Sequence, residues 1–194
     1  KIIFGSHFLS IFKNRKTQNM TSSEKILYFT KNLTLPKFDQ NFNLKSHYSI
    51  QDNSKKIFIS VDSHHNQNDW NLDNYIKLVE ILIKKNFKIY LNFRDDKNII
   101  NLFPSFFLES ENIQFTNKQN IDELIKIISE CKYVIGNESG PVCIGASLQK
   151  KVFAIYLPIH TKPESKIINN NTKYFKVGKI EDNFIIEKIL EDIE

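Results

Sequence analysis

A Rossmann-like α/β fold, with a parallel sheet and helices on both faces, is the class this sequence predicts. The first observation is an alternation: from Lys55 onward, short apolar β-rich runs recur between longer runs of helical period. The second is spacing. Each helical run is long enough to carry the chain back across a sheet, which is the pattern of βαβ units and not of hairpins. The third is composition. With 41% apolar and 25% charged residues, the chain falls among ordinary globular sequences able to bury a core.

The elements follow in order. "KKIFISVD" reads as a first strand that ends in the polar loop "SHHNQND". "WNLDNYIKLVEILIKKN" is a helix, with Leu72, Tyr75, Ile76, Val79, Leu82 and Ile83 on one face and Asn71 or Asp69 as its cap. "FKIYLNF" is a second strand, and "RDDKNIINLF" a short helix ending near Pro104. "NIQFTN" and "NIDELIKIISECK" are the third strand and an amphipathic helix. "YVIGN", "GPVCIGASLQ" and "KVFAIYL" give strand, small-residue helix and strand. "TKYFKVG" is a sixth strand before the closing helix "NFIIEKILEDIE".

Residues 1–54 differ: a helix, "SSEKILYFTKNL", precedes a polar connector, and nothing there could form a core alone. The net charge of +5 comes from lysines scattered along the chain without a basic block, which argues against a nucleic-acid surface. No apolar stretch is long enough to span a bilayer. Cys131 and Cys143 lack metal-ligand or disulfide-framework spacing, so a reduced, cytoplasmic setting and no metal or cofactor are expected. The chain starts at Lys1 and its one methionine is Met20, which is compatible with a fragment.

In a parallel sheet, ligands bind beyond the carboxyl ends of the strands, where helix amino termini present amides. Three loops there carry candidate chemistry. In Gly136–Pro141, Gly140 allows close backbone approach, Pro141 suits a first helical turn, and Ser139 offers a hydroxyl. This turn is either an anion cradle or a tight turn with a serine N-cap. In Ser60–Trp70, Ser63, His64 and His65 can donate to phosphate, or are simply solvated. After the second strand, Asp95 or Asp96 can accept from ribose hydroxyls, or cap the next helix. No G-x-G-x-x-G, P-loop, G-x-S-x-G or H-E-x-x-H is present, which removes the usual NAD, NTPase, serine-hydrolase and zincin readings.

Taken together, "ELIKIISECKYVIGNESGPVCIGASLQKKVFAIYLP", the Ser60–Trp70 loop and "NRKTQNMTSSEKILYFTKNL" resemble glycosyltransferase family 9, the heptosyltransferases of lipopolysaccharide core assembly. The first stretch looks like that family's helix, strand, D-[ST]-G-[PL]-x-H and small-residue helix; Asn68, Asp69 and Trp70 stand where the family has K-x-W. The resemblance implies the C-terminal half of a GT-B transferase. Residues 55–194 would be its nucleotide-sugar-binding domain, and residues 1–54 a helix and linker closing an N-terminal domain.

It further implies a donor such as ADP-heptose and a glycolipid or oligosaccharide acceptor. Transfer would be inverting and metal-independent, with the base supplied by the N-terminal domain and possible peripheral contact with the inner membrane. Ser139, Gly140 and Pro141 match the diphosphate-binding turn, Ser63 and His64 a second phosphate-facing loop, and Asp95 a ribose-facing acid. Three positions depart from the pattern: Glu138 replaces aspartate, Cys143 histidine, and Asn68 a phosphate-contacting lysine. The last removes a positive charge beside the leaving group, for which Lys97, His64 or His65 are the candidate substitutes. The alternative is a degenerate, non-catalytic domain of the same fold with a binding or structural role.

Overall fold

Six β-runs become six strands of one sheet, all parallel, in the order β3-β2-β1-β4-β5-β6. They are β1 (Asn53–Ser60), β2 (Lys88–Asn92), β3 (Ile113–Phe115), β4 (Cys131–Asn137), β5 (Lys151–Tyr156) and β6 (Thr172–Lys176). The helices among the described residues are α1 (Leu72–Lys84), α2 (Ser105–Glu109), α3 (Ile121–Ser129), α4 (Gly140–Ser147) and α5 (Asp182–Asp192). The computed structural model describes residues 53–61, 70–93, 101–116, 119–137, 139–156, 171–178 and 182–193. All belong to one compact unit, Asn41–Ile159 with Ile167–Glu194; the second unit, Lys1–Gln40 with His160–Lys166, lies outside the described residues.

Alternation along each strand builds two apolar layers. Ile57, Ile59, Ile89, Leu91, Tyr133, Ile135, Phe153 and Ile155 point to one face, where α1, α2 and α5 cover them through Leu78, Phe107 and Ile185. Phe58, Tyr90, Val134, Val152 and Ala154 point to the other, beneath α3 and α4. Strands buried on both sides read as continuous apolar runs, which is why they were legible as parallel strands. Gly145 lets α4 lie close: a Cβ there would stand 2.8 Å from a methyl carbon of Val134.

Local signals fix the helix starts. Asn71 caps α1, its side chain accepting from the Asp73 amide at 3.1 Å, so the choice between Asn71 and Asp69 falls on Asn71. Asn120 and Glu123 form a reciprocal capping box on α3, at 3.0 and 3.1 Å. One short helix was not read from the sequence. The run read as a helix ending near Pro104 lies mostly outside the described residues, and its described end, Asn101–Phe103, is turn; a further short helix follows the proline, which stands at its N-cap position, at Ser105–Glu109. Proline cannot donate a backbone hydrogen bond, so it opens a helix more readily than it continues one.

Candidate functional site

The strand order reverses between β1 and β4: the chain builds outward through β2 and β3, then returns to place β4 beside β1. Crevices form where helices diverge to opposite faces, beyond the carboxyl ends of two such strands. Here Ser60, the last residue of β1, faces Gly136, the next to last of β4, in register. Gly136 is required by that pairing. A Cβ on it would stand 2.5 Å from the Ser60 carbonyl oxygen and 2.9 Å from the Ser60 Cβ.

Beyond β4, Ser139 takes the N-cap position of α4 in an extended backbone conformation (φ −144°, ψ 167°), yet its side chain caps nothing. Its hydroxyl lies 3.2 Å from the hydroxyl of Ser60, across the switch point. Ser139 therefore holds the N-cap position that the sequence suggested, but its hydroxyl meets Ser60 and makes no side-chain cap bond. The helix begins with the Cys143 amide donating to the Ser139 carbonyl at 3.0 Å. Pro141 has no amide, so Ser139, Gly140 and Val142 carry the N–H groups that helix geometry leaves without an intrahelical partner. Gly140 is exposed, and a Cβ on it would meet no heavy atom within 4 Å. A helix end of this kind attracts anions through its amides and its dipole.

Asn137 closes the arrangement from below. Its side chain is 1% exposed, and both ends of the carboxamide are used. Nδ2 donates to the Val61 carbonyl at 2.9 Å, and Oδ1 accepts from the Trp70 amide at 2.9 Å. Trp70 is itself buried, packs edge-on to Tyr75 with ring centroids 4.8 Å apart, and donates its indole N–H to Asp182 Oδ1 at 2.8 Å.

Ser139, Gly140, Pro141 and Cys143 thus come together at the amino end of α4. Glu138, Ser63, His64, Asn68 and Asp95 lie outside the described residues. Neither cysteine is in a disulfide: Cys143 is exposed, while burial pushes the Cys131 thiol up to about 12. Ser60 and Asn137 were not singled out from the sequence as contributors to the site. The available signal was a polar residue ending an otherwise apolar strand, "YVIGN" for Asn137 and "IFIS" for Ser60. Among the described residues, no group of three His, Cys, Asp or Glu side chains could hold a metal ion. No helix among them is long and apolar enough to cross a membrane.

The profile of the family described as glycosyltransferase family 9 (heptosyltransferase) matches residues 19–183. No curated protein matches the chain. Among solved structures, the E. coli heptosyltransferase WaaC with ADP superposes with a TM-score of 0.66 at 15% identity, over 88% of this chain and 56% of that one. The E. coli ADP-heptose lps heptosyltransferase II gives 0.59 at 12% identity, over 100% of this chain and 53% of that one. WaaC with ADP-2-deoxy-2-fluoro heptose gives 0.62 at 12%, over 87% and 54%. At these identities the likeness is one of fold, and the chain spans a little over half the length of these proteins.

Proposed function

The chain belongs to glycosyltransferase family 9, and from that premise we propose that it binds the diphosphate of a nucleotide-sugar donor at the amino end of α4. The observation that carries this reading is the Ser139 hydroxyl. It turns to Ser60 and not to its own helix, which leaves the first-turn amides and the open face of Gly140 available to an anion. The donor is an ADP-sugar, with ADP-heptose the leading candidate; the ADP and ADP-2-deoxy-2-fluoro heptose of the WaaC structures support that class. As the glycosidic bond to the diphosphate breaks, negative charge grows on the leaving oxygen, and amides already aimed there stabilise it without reorganising.

In this reading transfer is inverting and metal-independent, and the acceptor is a lipopolysaccharide or related surface-glycan precursor. The base that deprotonates the acceptor hydroxyl belongs to an N-terminal GT-B domain, and the site works in the cytoplasm, at or near the inner membrane. Ser63 and His64 face the phosphates from the loop after β1, with Asn68 in the position that the family pattern gives to lysine. Asp95 meets the ribose, and Glu138 of the turn and Cys143 of the following helix contribute to donor binding.

Calorimetry of the chain against ADP, UDP and GDP tests this reading. ADP is expected to bind most tightly. Gly140→Val should weaken ADP by at least about tenfold, or about 1.4 kcal/mol, while the chain stays folded at the assay temperature. A Cβ there would meet no heavy atom within 4 Å outside its two chain neighbours, and Gly140 is not among the described residues with positive φ. Ser139→Pro should abolish the signal. Heat for no nucleotide, or undiminished heat in both variants, overturns the assignment.

A further inference from the structure

We infer that Asn137 is the positioning residue of this site: its buried carboxamide clamps the end of β1 and the approach to α1 against the end of β4, and so sets the spacing of the Ser60–Ser139 pair. The inference rests on the nucleotide-binding reading above.

The argument begins with what holds each end. Val61 lies just past β1, and its amide donates to the Asn92 carbonyl at 3.0 Å, which ties it to β2. Nothing in that bond ties it to β4; the Asn137 Nδ2 does. Trp70 belongs to no strand or helix. Its ring is held through Asp182 and Tyr75, and its backbone N–H goes to Asn137 Oδ1. One side chain therefore joins two chain positions on either side of residues 62–69 and fixes both to the strand that leads into Ser139.

Asparagine suits this task chemically. It needs one donor and one acceptor on a single short, planar group, and it must be neutral to sit at 1% exposure. Ser60, at the last position of β1, is one residue from Val61, and Ser139 is two residues from Asn137. The clamp therefore acts on both hydroxyls through very short lengths of chain, without touching the open face of Gly140.

The test compares wild type with Asn137→Leu, which keeps the branched four-atom side chain and removes both bonds. Asn137→Ser, which leaves room for a water on the Val61 carbonyl, serves if the first variant fails to fold. Two quantities are read: hydrogen exchange of the Trp70 amide against the amides of Leu78 and Val134, and the Kd for ADP. The expected result is exchange at Trp70 faster by at least about tenfold, and ADP binding weaker by about tenfold, as loss of two buried hydrogen bonds implies. Leu78 and Val134 should keep their protection. Loss of ADP affinity only in step with general loss of protection makes Asn137 a merely structural residue and overturns the inference. So does unchanged ADP binding with an unprotected Trp70 amide, or an unchanged Trp70 amide. Absence of ADP binding in wild type overturns instead the nucleotide reading on which the inference stands.

Discussion

The two ends of the sheet are built from different chemistry. At the amino ends of the strands, charges close the fold: Lys56 pairs with Glu130 at 2.8 Å, and Glu130 holds its ammonium above the ordinary lysine value. Lys150, 2% exposed, donates to the Ser129 carbonyl at 2.7 Å. Lys151 and Lys173 both reach Asp192 at the end of α5. At the carboxyl ends of β1 and β4 the described groups are neutral: Ser60, Asn137, Ser139 and Gly140. The difference teaches where an anion can be accepted. Charges at the amino ends are satisfied within the fold, whereas the carboxyl ends keep unpaired helix amides facing open space.

The same contrast recurs within one turn, between its two glycines, and gives the largest predicted effect. Gly136 faces a backbone oxygen that cannot move without shifting β1, so Gly136→Ala should cost about 3 kcal/mol by overpacking. Gly140→Ala places its methyl clear of every atom outside its own chain neighbours, meets only the pre-proline restriction of Pro141, and should cost about 1 kcal/mol or less. Urea denaturation of both variants checks the pair. Equal costs would erase the distinction between a glycine kept for the fold and one kept open for a ligand.

The next effect is smaller and sits at the other end. Lys150→Met keeps the aliphatic stem buried but leaves the Ser129 carbonyl without its ammonium donor, at a cost of about 1 to 3 kcal/mol. ADP affinity should be unchanged, because the substitution lies at the amino end of the sheet. A loss of stability accompanied by a tenfold loss of affinity would show that the two ends are coupled.

Much of this was legible in the sequence, for a physical reason. Strands buried on both faces must be apolar almost throughout, so "KIFIS", "KVFAIY" and "YVIGN" announce themselves, and their spacing by helical runs fixes a parallel sheet. The small-residue run Gly145–Ser147 likewise announced a helix lying close to the sheet. The short α2 was missed because "SFFLE" is too brief to show a period; only Phe107 is buried, while Phe106 and Leu108 are exposed. Asn137 escaped as a site residue because its partners, Val61 and Trp70, lie far away in the chain and bond through their backbones, which no spacing rule encodes. Ser139 looked like a cap because local chemistry favours one, and the hydroxyl of Ser60 could not be foreseen beside it.

The smallest effect isolates the charge at the amino end. The Lys173 ammonium bonded to Asp192, with Lys151 adding to it, holds the Asp192 carboxyl below its ordinary value near 3.8. A carboxyl so lowered contributes stability that is present above the unfolded-state value and is lost as pH falls through the folded-state value. Asp192→Asn removes the charge but leaves the backbone carbonyl of residue 192 to accept from Lys151. The side chain is partly exposed and water screens it, so at pH 7 the variant should be less stable by about 1 kcal/mol or less. That gap should hold down to about pH 5 and close as the solution is acidified below about pH 4, where the unfolded-state aspartate begins to protonate. Stability curves of both proteins from pH 7 to pH 3 read it directly. A gap that stays constant through that range would mean that shape, and not charge, ties α5 to the starts of β5 and β6. The ionic character of the amino end would then lose its last-placed pair.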